Sequence, residues 1–207
     1  MRGGLQGGNY RDGNYGAGCG ATVGKILGGE FCMKSSIGSF AVQAGDLKVG
    51  AIVAVNAIGD VIDPATGACV AGVLSQDKTG FRSTEDIFVA GYEAQAATAR
   101  DAEADALAAD SQVVTNTTIA AVITNAKLPK ARLCKVASMA HDGFARTIRP
   151  VHTSMDGDSI YALSVGDEVA DSDTVGVLAA KVMEQAILVA ARNAEPAYGL
   201  PSVKSLS

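Results

Sequence analysis

Apolar positions along this chain follow two different periods. From Phe40 to Leu74 they come in short runs rich in β-branched residues: "FAVQAG", "KVGAIVAVNAIGDVID" and "CVAGVL". Gly, Asp and Pro bound these runs, which predicts strands, with "DPATGA" as a loop. "TIAAVIT" and "DSIYALSVG" predict two more strands. In "KARLCKVASMAHDGFARTIRP" the period changes, and Leu133, Val136, Ala140, Phe144 and Ile148 recur at three and four, one face of a helix that Pro150 ends. "SDTVGVLAAKVMEQAILVAARNA" repeats the pattern through Val175, Leu178, Val182, Ala186 and Val189, with Ser172 as the expected N-cap. The second half thus reads strand–helix–strand–helix, an α/β arrangement in which helices cover a sheet.

Two stretches carry weaker patterns. Glycine and asparagine dominate residues 1–30, which predicts loop with a short helix over "ATVGKIL". From Ser83 to Ser111 the chain turns to Ala, Asp and Glu with few large apolar residues. A surface helix and a mobile linker both fit that composition.

Composition narrows the class. The 207 residues are 48% hydrophobic and 19% charged, enough for a buried core in one domain or two small ones. A net charge of −5 without a Lys/Arg cluster gives phosphate backbones nothing to hold, so no nucleic-acid partner is expected. The start "MRGGLQGGNYRDGNYGAG" lacks an apolar h-region, and the best apolar run, "VGAIVAVNAIG", is short and interrupted by Asn56. A cytoplasmic protein with no membrane span is the expectation. Cys19, Cys32, Cys69 and Cys134 form no CxxC pair and read as reduced, structural thiols.

Several residues suggest chemistry, each beside a plainer explanation. "GAGCGA" at 16–21 matches a loose dinucleotide fingerprint, but no strand precedes it and no partner acid follows. Lys25 does not complete a phosphate loop, so these glycines are assigned to tight turns or close backbone approach. His141 and His152, the only histidines, are too few for a metal site, and no cofactor is expected. Asp156 and Asp158 in "MDGDSIYAL" lie two apart at the mouth of a strand. They are either a solvated turn or a carboxylate pair that orients a nucleophile or holds an ammonium group, each raising the other's pKa if desolvated. Asn56 inside an apolar strand is either a satisfied edge residue or an amide donor to an oxyanion.

"TNTTIAAVIT" at 115–124 is the most unusual stretch, because Asn116 is a turn former set before a strand. The plain reading is a strand opening. The sharper one is self-cleavage: a hydroxyl attacks the Asn116 carbonyl, and hydrolysis of the ester leaves Thr117 with a free α-amine. Such an amine, with an ordinary pKa of about 7.7–8.0, can serve as the base for its own hydroxyl.

"GNYGAGCGATVGKILGG", "GAIVAVNAIGDVIDPATG", "NTTIAAVITNAKLPK", "MAHDGFARTIRPVHTSMDGD" and "IYAL", in this order, closely resemble the DmpA-like self-processing aminopeptidases. These are L-aminopeptidase/D-amidase-esterases, relatives of the β-peptidyl aminopeptidases, and the resemblance runs from about Gly13 to Arg192. It implies a four-layer αββα sandwich, incomplete at the N-terminus. It also implies a precursor cut at Asn116–Thr117 into 1–116, the end of an α-chain, and 117–207, a β-chain, within one intertwined domain. Thr117 would be the nucleophile rather than Thr118, and Asn56 would support the oxyanion. Asp156 and Asp158 would stand at a family Ser-x-Glu pair, with aspartate replacing the serine. The implied substrates are short peptides or small amides and the implied assembly a homo-oligomer. Family members carry a long segment before the "GAGCGATVGK" region, including a site tyrosine, so a separate chain supplying that segment is a further expected partner. Two rivals stay open: an inactive fragment or scaffold subunit of a split enzyme, and an acyltransferase of the ornithine acetyltransferase type.

Overall fold

The computed structural model of the chain describes residues 10–99 and 116–206. After a short 3-10 turn at Gly16–Gly18, the first half holds β1 (Thr22–Val23), β2 (Met33–Lys34), β3 (Ile37–Ala44), β4 (Leu47–Ala54), β5 (Asp60–Ile62), β6 (Cys69–Ala71) and α1 (Thr84–Ala99). The second half holds β7 (Ile119–Ala126), α2 (Lys130–Thr147), β8 (Ile148–Arg149), β9 (Ser159–Glu168), α3 (Ser172–Asn193) and α4 (Val203–Leu206).

The main sheet has the order β3-β4-β7-β9. β3 and β4 form an antiparallel hairpin, β4 runs antiparallel to β7, and β7 runs parallel to β9. A parallel pair cannot be closed by a tight turn, and α2 lies in the connection that returns the chain from β7 to β9. Val49, Ala51 and Val53 of β4 and Ala120 and Val122 of β7 point to one face. There they pack into one core with Val136, Ala140 and Phe144 of α2 and with Val175, Val182, Met183 and Ala186 of α3. Two smaller sheets, β1-β2 and β6-β5-β8, flank this core. Buried Asp60 ties them to α1, accepting from the Val73 amide and from both the amide and hydroxyl of Thr84.

The other face of the main sheet is apolar as well. Register aligns Ile52 with Ala121 and Tyr161, and Ile123 with Leu163. Among the described residues this face has no covering layer: Tyr161 is 64% exposed and Val165 66%. Among the described residues the main sheet is therefore covered by helices on one face only.

The α/β reading and the periodic helices hold, except that α2 stops at Thr147 and Ile148 lies in β8 rather than on the helix face, and four further corrections apply. "ATVGKIL" is not a helix, because Thr22–Val23 pairs with Met33–Lys34 and Gly24 (φ +69°) turns the chain away. Asn56 sits just beyond the end of β4 rather than inside a strand. Asp171, not Ser172, caps α3, its carboxylate accepting from the amides of Asp173 and Thr174 where the helix dipole also favours a negative charge. Finally, α3 is long and apolar enough to cross a membrane by length and composition, contrary to the expectation that no apolar run reaches that length. Most of its apolar residues are buried in the core, which accounts for that composition. The stretch from Ser83 resolves in part into α1, and its continuation through residues 100–115 lies outside the described residues.

Candidate functional site

Asn116, Thr117 and Thr118 continue the line of β7 toward its N-terminal side, so their side chains alternate. Asn116 is 1% exposed and Thr118 fully buried. Thr117, between them, turns to the opposite side and lines an open cleft of about 340 Å³ with Ala17, Gly20, Ala21, Ala54, Asn56 and Ile119.

The turn before β9 lies alongside. Asn116 bridges to Asp156 in parallel, and the Gly157 amide donates to the Asn116 carbonyl at 2.8 Å. A Cβ at Gly157 would stand 2.7 Å from the Thr117 hydroxyl, so the close approach of the two segments needs a glycine there.

The two carboxylates on either side of Gly157 are held differently. Asp158 Oδ1 accepts from the Thr118 amide at 2.9 Å, and Oδ2 lies 3.0 Å from His152 Nδ1. Burial pushes the Asp158 carboxyl above the usual range; the Thr118 amide opposes that shift and the Asp156 charge adds to it. Asp156 Oδ2 accepts from the amide and hydroxyl of Thr153, which closes the 153–156 turn. Its Oδ1 is buried and has no donor among the described residues. Asp158 Oδ2 likewise receives no hydrogen bond and has the His152 ring as its neighbour, so each carboxylate keeps one buried oxygen without a hydrogen bond among the described residues.

Across the cleft, Asn56 is oriented by three donors. Its Oδ1 accepts from the Thr22 amide at 3.2 Å, the Thr22 hydroxyl at 3.4 Å and Lys25 Nζ at 2.9 Å. Those donors fix which end of the amide is oxygen and set the donor end of Asn56 on the other side. Lys25 also donates to the Asn56 backbone carbonyl at 3.2 Å. Burial brings the Lys25 ammonium down to about 8, with the charges of Cys32, Asp156 and Asp158 opposing the fall.

The wall at residues 17–21 is held by Lys34. This side chain is fully buried, and its Nζ donates to the carbonyls of Gly18 (2.9 Å), Ala21 (2.8 Å) and Ser35. Gly18 is also a close-approach glycine, since a Cβ there would meet the Ile37 amide at 2.4 Å.

The structure thus brings Asn56 and Thr117 onto one cleft and sets Asn116, Asp156 and Asp158 against the strand that carries Thr117. Sequence reasoning missed Lys25, Lys34 and the histidine pair. Lys25 and Lys34 each stand alone among apolar and small residues, in "VGKIL" and "CMKSS", and that isolation was the available signal. His141 and His152 meet only because the chain turns back after α2, which no local spacing encodes.

The chain is similar to several known proteins. The family model described as peptidase family S58 matches residues 4–203. An uncharacterised aminopeptidase of Mycobacterium leprae (strain TN) is 36% identical over 205 residues, covering 92% of this chain and 51% of that protein. A 6-aminohexanoate-oligomer endohydrolase of Kocuria sp. (strain KY2) is 29% identical over 199 residues, covering 89% of this chain and 52% of that protein. Among solved structures, the L-aminopeptidase D-Ala-esterase/amidase of Ochrobactrum anthropi, described as a variant of the Ntn hydrolase fold, superposes with a TM-score of 0.56 at 18% identity. That match covers 93% of this chain and 47% of the other, and it shows a shared fold. The chain spans about half the length of the curated relatives it matches.

Proposed function

The chain belongs to peptidase family S58, and on that premise we propose a self-cleaving hydrolase of short peptides or small amides in which Thr117 is the nucleophile. The supporting observation is the placement of Thr117 on the cleft wall, next to a peptide bond whose carbonyl already receives the Gly157 amide. In the first reaction Thr117 Oγ bonds to the Asn116 carbonyl carbon while the developing negative charge on the oxygen falls on the Gly157 N–H. The Asn116–Thr117 C–N bond then breaks, the nitrogen takes the hydroxyl proton, and water hydrolyses the ester. The products are a carboxylate at Asn116 and a free α-amine at Thr117.

The second reaction uses that amine. It takes the proton from Thr117 Oγ as the hydroxyl attacks a substrate carbonyl, and passes it to the leaving amine. Asn56, oriented by Thr22 and Lys25, donates to the new oxyanion. Asp158 holds the Thr118 amide and with it the strand, while the unengaged oxygen of Asp156 receives an ammonium, of the chain start or of the substrate. The names of the relatives, an aminopeptidase and an amide-oligomer hydrolase, agree with this substrate class.

The deciding experiment is the intact mass of purified protein under denaturing conditions. Two species, 1–116 and 117–207, are expected. A single uncut species that hydrolyses amides would overturn the mechanism. A second reading, a subunit that works only once another polypeptide covers the sheet face at Tyr161 and Val165, is favoured by the exposure of that face. Activity of the purified chain alone would dismiss it.

Two further outcomes follow from the geometry. Gly157→Ala should slow self-cleavage about tenfold or more in a time course of uncut chain, because the Thr117 hydroxyl must move away from the new methyl. Gly157 is not in the left-handed region, so backbone strain would not confound the result. The kcat/KM profile should also fall on its alkaline side near pH 8, where Lys25 loses its proton and no longer presents a positive charge to Asn56. Lys25→Met should lower activity and abolish that alkaline limb; a limb unchanged in the variant would assign it elsewhere.

A further inference from the structure

Resting on the Thr117 reading, we propose that His152 and His141 form a proton relay that positions Asp158 and links its charge to the pH outside. His152 Nδ1 stands 3.0 Å from Asp158 Oδ2, and His152 Nε2 stands 3.2 Å from His141 Nδ1. The line therefore runs from the Thr118 amide through Asp158 and two imidazoles, from beside the nucleophile to the face of α2. Asp158 is 3% exposed at its side chain and His152 39%, while His141 is half-buried against Phe144.

The backbone supports a specific role for His152. It lies at φ +58°, a left-handed conformation that an L side chain adopts at a cost. The ring is kept in place by Phe144, stacked at 6.1 Å between centroids, and by the edge of His141 at 4.8 Å. A histidine needed only to fill space would not require both nitrogens to meet polar partners.

The relay assigns one proton arrangement to these two contacts. Facing an ionised Asp158, His152 carries its proton on Nδ1, so its Nε2 accepts and His141 donates from Nδ1. When pH falls, a proton adds to His141 Nε2, the Nδ1 proton of His141 moves to His152 Nε2, and the Nδ1 proton of His152 moves to Asp158 Oδ2. One proton has entered, both imidazoles are neutral again in the opposite tautomer, and Asp158 is a carboxylic acid. At 3.2 Å the two rings cannot both be charged cheaply. The other charges acting on this line are Asp142 on α2, Asp156 across Gly157 and Lys25 across the cleft. Burial and the neighbouring His152 hold His141 below the ordinary imidazole range.

The chain has only two histidines, so 15N-histidine labelling gives two ring systems that His141→Gln and His152→Gln assign directly. In the wild-type chain His152 should show a protonated Nδ1 and a bare Nε2. Asp158→Asn should abolish that preference, since it removes the carboxylate that Nδ1 faces. In kinetics His152→Gln should lose at least about threefold more kcat/KM at pH 6 than at pH 8, because Asp158 then protonates at higher pH. His141→Gln should do so to a smaller extent. An Nδ1 proton on His152 that ignores Asp158→Asn, or equal losses at both pH values, would overturn the relay while leaving the Thr117 reading intact if the chain is cut. A wild-type chain neither cut nor active removes the Thr117 reading, and the relay's part in catalysis with it.

Discussion

Thr117→Ala should remain one uncut chain and lose amide hydrolysis by at least about a thousandfold, as expected when the reacting atom itself is deleted. No neighbour can take its place. Thr118 is fully buried, and its amide is committed to Asp158, so its hydroxyl is on the core side of the strand. The other polar residue on the cleft wall is Asn56, whose amide is a donor and an acceptor but not a nucleophile. Thr117→Ser keeps the hydroxyl and should still be cut, which separates loss of the reacting oxygen from damage to the strand. Scission of Thr117→Ala at the same bond, seen by denaturing mass measurement, would eliminate Thr117 as the attacking group.

The largest loss of stability is expected from a residue with no part in the chemistry. Lys34→Met removes the ammonium that donates to the carbonyls of Gly18, Ala21 and Ser35. Gly18 and Ala21 keep backbone donors, the amides of Ala21 and Ser35, so the loss is that of charge-assisted bonds, roughly 1.5–3 kcal/mol each, partly offset because a charge is no longer buried. A net loss of about 3 kcal/mol is the expected result, read as a lower urea midpoint at unchanged slope. The same variant should weaken catalysis even where it is fully folded. The 17–21 wall then lacks its clamp, and the Thr22 amide that orients Asn56 follows directly behind it. A midpoint within about 0.5 kcal/mol of wild type would mean that water or other donors replace the ammonium.

The sequence made some of this legible and hid the rest for identifiable reasons. The helices of the second half announced themselves because Val136, Ala140, Phe144, Val175, Val182 and Ala186 are core residues at helical spacing. The strands were readable for the same reason at period two. Asn116–Thr117 and the Asp156, Asp158 pair stood out because their residue types conflict with the strands they adjoin. Asn56 was noticed for the same conflict but misplaced, since an apolar run does not show where its hydrogen-bond ladder stops. The misjudged "ATVGKIL" segment has apolar residues at helical spacing, yet Gly24 with φ +69° packs against the backbone at Gly72, a distant partner that local pattern does not contain. Lys25, Lys34 and the His141–His152 contact are likewise tertiary facts. Each depends on the meeting of separate segments or on the reversal after α2, and a single sequence carries no marker for such meetings.

The strand order has a consequence for what scission would release. β3 and β4 precede Asn116, β7 and β9 follow it, and β4 is zipped to β7 from Val49–Thr124 to Ala54–Ile119. Helix α3, from the later half, lies across strands of the earlier one. The two polypeptides left by the cut would share a single ladder and a single hydrophobic interior, so neither could leave without unfolding the other. Under gentle conditions they would travel as one particle, and only a denaturant would reveal that the backbone had been opened.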